Sequence, residues 1–497
     1  MNPGTIATAA YQDSPVEEYR GNPLIEALPP IFTERAAAEA IARYPEEPVG
    51  AQTIDGSVRL HCIDRMRSVI QPLPIHLELE AAVSLVLRGG YVGRNPMQPA
   101  TVRHLHGLST GVQRTEGFTS TATTFSLVGL SGIGKSTALE AILRLYPQTI
   151  IHRNYQGREF VQTQIVWLKL ECPFDGSLSG LCHAFFSAVD QAIGQRRYGD
   201  RGPLRGGVAG LIHRMEQLAS TYYVGALFID ELQHLRVAKT GGKDNMLNFF
   251  INLLNSIGVP VVFIGTNSMI DLFGDVLRNA RRACGVGLYN FRQPASTDPA
   301  WTLLVDALWR YQWVRHVEPL TQEMRDLLYE LTQGVTDFLA KLLILGQRYA
   351  IQSGTERLTE SVLRHVASTK MQLLQPALAA LHSGDPRVMR NFDDLLPSEE
   401  HLNAMMLMSG TTAEVSFLRE LRAPANAPVI SEPAAADAFS TATPIPRQTT
   451  GDQMQRAKAL ALALASQDIP LQALHQGGWM TEDALEFSPA YRLRSGS

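Results

Sequence analysis

The sequence has 497 residues, of which 45% are hydrophobic, 7% aromatic and 19% charged. At about 100–200 residues per domain, this length predicts about three to four folding units, and the apolar content excludes a wholly disordered chain. Residues 386–497 hold 9 basic and 13 acidic residues, whereas residues 1–385 hold 35 of each. The net charge of -4 therefore arises in the C-terminal part. Because the rest is neutral, DNA contact would need a local basic stripe or a ring of subunits.

Nothing in the sequence predicts export or membrane insertion. No run of about 18 apolar residues occurs, so we expect no membrane span. The N-terminal segment has no basic stretch followed by an apolar run, which argues against a secretory signal. Four cysteines (Cys62, Cys172, Cys182 and Cys284) lie far apart without metal-ligand spacing. They are typical of reduced thiols, and we expect a cytoplasmic protein.

Residues 1–100 are predicted to form a mostly helical N-terminal region. Its first 21 residues are small and polar, which indicates a flexible arm. The apolar segment NPLIEALPP (22–30) is interrupted by prolines and favours an extended docking segment over a helix. A later amphipathic pattern, HLELEAAVSLVLRGGY, predicts a helix that ends at Gly89-Gly90.

Residues 101–299 show the alternation of strand and helix patterns that is typical of an α/β domain. The predicted strands are short and continuously apolar: Phe125–Val128, Gln164–Leu170, Tyr222–Ile229 and Val259–Ile264. Continuous apolar strands indicate a parallel sheet that is buried on both faces. With helix patterns between them, they predict a doubly wound parallel sheet.

Strand patterns are absent from the sequence beyond this region. Residues 300–385 predict four helices, which would form a small helical lid. Residues 386–497 form a C-terminal tail, and its segment 423–447 contains eight alanines and five prolines. That composition is typical of a disordered linker.

The strongest motif is a G-x-x-x-x-G-K-[ST] sequence between a predicted strand and a predicted helix. Its backbone N–H groups would surround a phosphate at the helix N-terminus. Lys135 would supply a cation to the β- and γ-phosphates, and the Ser136 hydroxyl a ligand to Mg²⁺. The alternative, a chance glycine turn, does not account for the flanking strand and helix. The predicted cofactors are ATP and Mg²⁺, and the residues of this loop expected to bind them are Gly129, Ser131, Gly132, Ile133, Gly134, Lys135, Ser136 and Thr137.

Two carboxylates follow the apolar strand LFI. Asp230 and Glu231 would stand at the C-terminal edge of the sheet, where open α/β sheets bind ligands. Asp230 is predicted to hold Mg²⁺, directly or through its water, and Glu231 to polarise the water that attacks the γ-phosphate. An ordinary acidic loop is the alternative, and the P-loop in the same chain argues against it.

A third polar strand end follows the sequence VVFIG. If this strand lies beside the Asp230 strand, Thr266 or Asn267 could hydrogen-bond the attacking water or the γ-phosphate. The residue types alone do not decide between the two side chains. The alternative is a turn-favouring Thr-Asn pair with no catalytic role.

Two further cationic groups are candidates for the site. Arg278, Arg281 and Arg282 come near the end of the α/β region, and Arg281 or Arg282 could reach the γ-phosphate of a neighbouring subunit. Their alternative is a solvated basic helix face. The segment Gly334–Lys341 begins a predicted lid helix, and Lys341 could contact the nucleotide or could be a plain surface lysine.

In this order, these elements resemble an AAA+ ATPase, a P-loop NTPase with a helical lid. Within that superfamily the sequence resembles the TnsC/TniB family of transposition regulators. The resemblance spans about residues 20–385 and lies in four stretches: NPLIEALPP (22–30), GLSGIGKST (129–137), GALFIDELQHL (225–235) and VVFIGTNSM (261–269). The tail beyond residue 385 resembles the longer TnsC type more than the compact TniB type.

The resemblance implies an ATPase that assembles as a ring or helical filament on double-stranded target DNA in the bacterial cytosol. It implies that the homo-oligomer links a TniQ-type target-selection protein to the transposase subunits, and that hydrolysis takes the assembly apart. By analogy, residues 1–100 would meet the target selector and the tail the transposase.

The residues that would contact DNA are less well defined. A glycine-containing loop carries four arginines, which could follow the phosphates of a duplex or could simply be solvated. They are Arg196, Arg197, Arg201 and Arg205, and further candidates are Lys169, Lys239 and Lys243. Two other functions stay open: a replication initiator or helicase loader, and a signalling NTPase that never touches nucleic acid.

Overall fold

Five short apolar strands form the central sheet of the computed structural model. The structure describes residues 5–110, 118–199, 207–237, 246–247, 249–250, 253–270, 272 and 285–385, all within one unit, Met1–Ser398. The predicted tail and its linker 423–447 lie outside these residues. The strands in chain order are β1 (Ile6–Thr8), β2 (Phe125–Gly129), β3 (Thr149–Tyr155), β4 (Arg158–Ile165), β5 (Trp167–Glu171), β6 (Ala226–Asp230), β7 (Val261–Gly265) and β8 (Gly287–Phe291).

Helices surround the central sheet and form the regions before and after it. Those before β6 are α1 (Pro23–Glu26), α2 (Glu34–Ile41), α3 (Gly56–Cys62), α4 (Pro74–Val92), α5 (Pro99–Thr110), α6 (Lys135–Leu143), α7 (Leu178–Ile193) and α8 (Gly207–Thr221). Those after β8 are α9 (Pro299–Trp309), α10 (Gln322–Thr332), α11 (Thr336–Gln352), α12 (Glu360–Lys370) and α13 (Gln375–Ser383).

The central sheet has the strand order β5-β6-β7-β2-β8, and all its pairs are parallel. Successive side chains point to opposite faces of a strand, and every residue of β2, β6 and β7 is buried. Helices therefore cover both faces, as a doubly wound fold requires. The predicted fold class is confirmed.

One large apolar cluster lies between the sheet and helices α7 and α8. Phe185 of α7 and Met215 of α8 are fully buried in it, together with Leu168 and Leu227 from the sheet. Helix α4 packs on α6 and also contacts β6 and β8. This packing fixes the position of α6, the helix that follows the P-loop.

A second, smaller sheet corrects two expectations. Residues 5–21 are not a free arm, because β1 pairs in parallel with β3, which forms an antiparallel hairpin with β4. The stretch Gln164–Leu170 is not one strand, because the chain leaves this sheet at Ile165 and enters the central sheet at Trp167. The hairpin has a mixed burial pattern, so its sequence lacks the continuous apolar run of a core strand.

The segment NPLIEALPP also differs from its prediction. It forms the short helix α1 instead of an extended segment. Asn22 caps this helix by accepting from the Leu24 N–H, and its side chain donates to the Tyr91 carbonyl of α4 (2.8 Å). Leu24 and Ile25 are buried. The segment therefore packs against its own chain.

Helix α4 continues through Gly89-Gly90 instead of ending there. A Cβ on Gly90 would lie 2.5 Å from the ring of Pro260, so this glycine serves a close approach between α4 and the turn before β7. The fully buried Arg94 follows the helix and donates to the Val224 and Gly225 carbonyls (2.6 and 3.2 Å). These contacts bind the N-terminal region to the start of β6.

The lid contains five helices within residues 299–383, one more than predicted, because the last predicted helix is split between α12 and α13. Helix α3 braces the lid: Arg59 forms a two-pronged ion pair with Glu356 (2.6 and 2.7 Å). Across the described residues, none of the helices combines the length and apolar character needed to cross a membrane.

Candidate nucleotide-binding site

The P-loop connects β2 to α6 through a backbone that requires glycine. Gly129 has φ +156°, and a Cβ there would lie 2.4 Å from the Phe291 carbonyl oxygen of β8. Gly134 has φ +103° and caps the N-terminus of α6. Residues with a side chain rarely adopt backbone φ values this far into the positive range. The loop therefore has a curled backbone at the N-terminus of α6, which is the setting in which backbone N–H groups can bind an anion.

Lys135 is the buried cation of this loop. Its Nζ donates to the carbonyl oxygens of Gly129 and Leu130, both at 2.8 Å. The side chains of Ser131 and Thr137 are exposed, whereas that of Ile133 is buried. Lys135 thus lies inside the loop, where its ammonium group could reach a phosphate by exchanging a carbonyl partner.

Ser136 and Asp230 lie together, although 94 residues separate them. Ser136 Oγ donates to Asp230 Oδ2 at 2.9 Å, and the Asp230 carboxylate is almost fully buried. A hydroxyl and a carboxylate are hard oxygen donors that fit Mg²⁺, which usually takes one or two protein ligands besides phosphates and water. Within the described ranges, no group of three or more histidine, cysteine or acidic residues could hold a metal alone.

Glu231 directly follows this carboxylate in an unusual backbone conformation. Its φ is +57°, and its side chain is exposed at the C-terminal edge of the sheet. The Glu231 N–H donates to Asp230 Oδ1 at 3.0 Å. A non-glycine residue in the left-handed region costs about 1–3 kcal/mol and persists only with support from its surroundings. Glu231 is thus exposed directly after a strand whose residues are all buried.

Gln233 joins the ends of β6 and β7, and sequence reasoning missed it. Its Nε2 donates to the Glu231 carboxylate, and its Oε1 accepts from the Thr266 N–H at 3.2 Å. Its position two residues after Glu231 was the only local signal. The strand before Thr266 and Asn267, β7, lies beside the Asp230 strand β6. This is the arrangement that the sequence-based hypothesis for these two residues requires.

The two candidates after β7 differ in exposure. Thr266 is buried, and its hydroxyl shares a hydrogen bond of 2.9 Å with Ser268. Asn267 is partly exposed and begins the short helix Asn267–Met269. Both therefore lie at the same edge of the sheet as Asp230 and Glu231.

The lid lies directly on the P-loop. The Asp337 N–H donates to the Gly132 carbonyl oxygen at 3.0 Å, in the first turn of α11. Lys341 forms an ion pair with the Asp337 carboxylate one turn further along. The structure therefore places Lys341 close to the loop, and contact with a phosphate requires it to leave Asp337.

Lys169 is a candidate DNA contact that the structure places elsewhere. Its side chain is 14% exposed, and its Nζ lies 3.1 Å from Asp230 Oδ2 and 2.8 Å from Glu140 Oε1. This lysine belongs to the nucleotide site, because β5 is the neighbour of β6 in the sheet. Several other candidates lie outside the described residues: Arg201, Arg205, Lys239, Lys243, Arg278, Arg281 and Arg282.

The two described arginines of the basic loop lie next to backbone that is held by hydrogen bonds. The Asp190 carboxylate accepts from the N–H groups of Tyr198 and Gly199 at 2.8–2.9 Å. Tyr198 is buried beside Tyr222, with which it shares a hydroxyl hydrogen bond of 2.8 Å. Arg196 and Arg197 immediately precede this anchor and are exposed.

A glycine loop at a helix N-terminus, with a serine and a buried carboxylate across a parallel sheet, is the arrangement of P-loop nucleotide-binding proteins. Residues 118–273 match the family model of the AAA domain. The chain therefore contains an AAA domain with the AAA+ P-loop fold. No curated protein matches the sequence.

Several solved structures are similar to this chain. Cdc6p from Pyrobaculum aerophilum is 13% identical, and the alignment covers 66% of this chain and 86% of the Cdc6p chain, with a TM-score of 0.36. The ORC2 protein of Aeropyrum pernix is 11% identical, with coverages of 66% and 86% and a TM-score of 0.33. RuvB of Thermotoga maritima, the Holliday junction branch migration motor, is 11% identical, with coverages of 64% and 80% and a TM-score of 0.27.

Proposed function

We propose that this chain is an ATP-dependent regulator of DNA transposition of the TnsC type. ATP binding assembles copies of the chain on double-stranded target DNA. The assembly connects a TniQ-type target-selection protein to the transposase, and ATP hydrolysis takes it apart. The single observation that carries the ATPase part is the Ser136–Asp230 pair beside the exposed Glu231.

The chemistry assigns one task to each group at the sheet edge. Lys135 stabilises charge on the β- and γ-phosphates. Ser136 and Asp230 would hold Mg²⁺, which supplies positive charge to the phosphate oxygens. Glu231 accepts a proton from the attacking water or orients that water. Thr266 or Asn267 hydrogen-bonds the water or the γ-phosphate from the neighbouring strand.

The transposition part is supported by the resemblance of four sequence stretches to the TnsC/TniB family. DNA contact is supported by Arg196 and Arg197, which are exposed next to the anchored Tyr198. Repeated once per subunit, two arginines form a basic track that binds phosphates without reading sequence. We propose that Arg281 or Arg282 completes the site of a neighbouring subunit, so that hydrolysis depends on assembly.

The experiment that tests this function uses the full-length Glu231→Gln variant. It keeps the hydrogen-bonding shape of the side chain but loses the base, so we expect ATP binding without turnover and a long-lived complex on duplex DNA. The trapped complex is then offered a transposase, a TniQ-type protein and a replicative helicase. Retention of the first two supports the proposal. Retention of only the helicase identifies a replication-type loader, and a variant that leaves duplex DNA as fast as the parent contradicts the switch.

A further inference from the structure

Lys169 is the least expected cation of the nucleotide site. It lies on β5, one strand away from the Asp230 strand, and is largely buried between β6 and α6. Its Nζ is within 3.1 Å of Asp230 Oδ2, the same oxygen that accepts from Ser136 Oγ. The other oxygen, Oδ1, accepts from the Glu231 N–H. The ammonium group therefore lies at the carboxylate oxygen that faces Ser136.

This placement makes Lys169 a competitor of any metal ion at that oxygen. A buried carboxylate needs a positive partner, and Lys169 supplies one without a metal. Two cations that share one carboxylate oxygen repel each other, and burial strengthens the repulsion because water screens it poorly. A divalent ion that binds between Ser136 and Asp230 must therefore displace or push back the ammonium group.

The displaced lysine already has a second partner in the structure. While it contacts Asp230, Lys169 Nζ also donates to Glu140 Oε1 at 2.8 Å, and Glu140 lies one turn beyond Ser136 in α6. Glu140 is 43% exposed, so its carboxylate can reorient more easily than that of Asp230. A lysine side chain is flexible enough to give up the Asp230 contact and keep the Glu140 contact without a change in the backbone.

We propose that Lys169 is a tethered cation that occupies the Mg²⁺ carboxylate and withdraws to Glu140 when Mg²⁺ arrives with a nucleoside triphosphate. This inference deepens the proposed function and rests on its assignment of Ser136 and Asp230 to Mg²⁺. Lys169 lowers the affinity of the site for the free metal. The phosphates of the nucleotide add the charge that overcomes this competition, so metal and triphosphate bind together.

The test measures binding of Mn²⁺ alone to the full-length protein, by the electron paramagnetic resonance signal of the free ion. Lys169→Met removes the charge and keeps the aliphatic stem, and we expect Mn²⁺ to bind about tenfold more tightly than to the parent. Arg144→Met is the matched control, because Arg144 also lies near Glu140 (3.9 Å) on the exposed side of α6. An unchanged or weaker affinity for Lys169→Met, or an equal gain in Arg144→Met, overturns the proposal.

A second pair of variants keeps the test valid if Lys169→Met does not fold. Glu140→Gln removes the negative charge of the second partner of Lys169, so the lysine stays at Asp230 and we expect Mn²⁺ to bind more weakly. In the double variant Glu140→Gln/Lys169→Gln that loss should disappear, because it acts through the lysine. An equal loss with and without Lys169 contradicts the exchange.

Binding of a fluorescent ATP analogue to the same samples separates this inference from the proposed function. A parent that binds no nucleotide refutes the proposed function, whereas the Mn²⁺ titrations still report on the competition at Asp230.

Discussion

Gln233 gives the sharpest prediction about catalysis, because its side chain makes two contacts and both can be removed at once. Its Nε2 donates to the Glu231 carboxylate and its Oε1 accepts from the Thr266 N–H at 3.2 Å. Glu231 is in the left-handed region at φ +57° and needs such support. We expect Gln233→Ala to leave the carboxylate in place but free to rotate.

The size of the effect follows from the charged hydrogen bond. A hydrogen bond to a charged group contributes about 1.5–3 kcal/mol. If that energy orients the base, its loss lowers kcat for ATP hydrolysis about 10- to 100-fold, at about 1.4 kcal/mol per factor of ten. KM should change by less than about twofold, because Gln233 contacts the Glu231 carboxylate and the Thr266 backbone N–H, and not Lys135, Ser136 or Asp230. The assay is steady-state ATP hydrolysis with duplex DNA present, together with equilibrium binding of a fluorescent ATP analogue.

The matched control is Gln322→Ala, because Gln322 also donates to a carboxylate, that of Asp326, but on the exposed side of a lid helix. It should hydrolyse ATP like the parent. A Gln233→Ala protein with unchanged kcat refutes the positioning role. A loss that appears wholly in KM also refutes it, because Gln233 would then act on nucleotide binding.

Three further predictions concern other contacts of the structure. Arg59→Met should lower the free energy of unfolding by about 3 kcal/mol in urea titrations, because it leaves the Glu356 carboxylate without its buried partner. Hydrogen bonds from Arg59 lower the pKa of Glu356. The contribution of this pair should therefore be complete at neutral pH and lost below the ordinary glutamate pKa of about 4.3. Arg196→Gln/Arg197→Gln should weaken binding to every duplex alike and reduce the salt slope of log affinity by about 2, measured by fluorescence anisotropy. Lys135→Ala should abolish binding of the ATP analogue.

Each of these predictions has a control or a contrary result. A Glu356→Gln protein should lose only the share of the acid dependence that this pair contributes, because other carboxylates such as Glu330 also have lowered pKa values. A Glu356→Gln protein whose stability falls with acid as steeply as that of the parent contradicts the role of the pair. Arg35 and Arg67 are exposed arginines of the N-terminal region, so their double change to Gln should leave the salt slope intact. Lys135→Ala that still binds nucleotide contradicts the assigned site.

The central sheet and the P-loop could be predicted because their information is local. The strand before Gly129 and the helix after Lys135 are continuous patterns, and the strand that ends at Asp230 is a run of apolar residues. An unbroken apolar run indicates a strand that is buried on both faces, and adjacent residues alone are enough to recognise it.

The rest depends on contacts between distant residues. The prediction that α4 ends at Gly90 was wrong, because that glycine accommodates Pro260, 170 positions away. The sequence offers Lys169 only as a candidate DNA contact, because its place beside Asp230 depends on the pairing of β5 with β6, which neither strand reveals alone. The same holds for Gln233, whose partner Thr266 follows the neighbouring strand β7. Local sequence therefore predicts the helices and strands, whereas the contacts and roles of these side chains depend on which elements lie side by side in the fold.

In the proposed function, a triphosphate at the P-loop joins copies of this chain around a DNA duplex. The most direct measurement is electron microscopy of purified Glu231→Gln protein with ATP and a duplex, beside samples that lack ATP or DNA. We predict rings or helical filaments on the duplex only when ATP is present, and their absence in Lys135→Ala. Single copies in the presence of excess ATP and duplex would contradict the account.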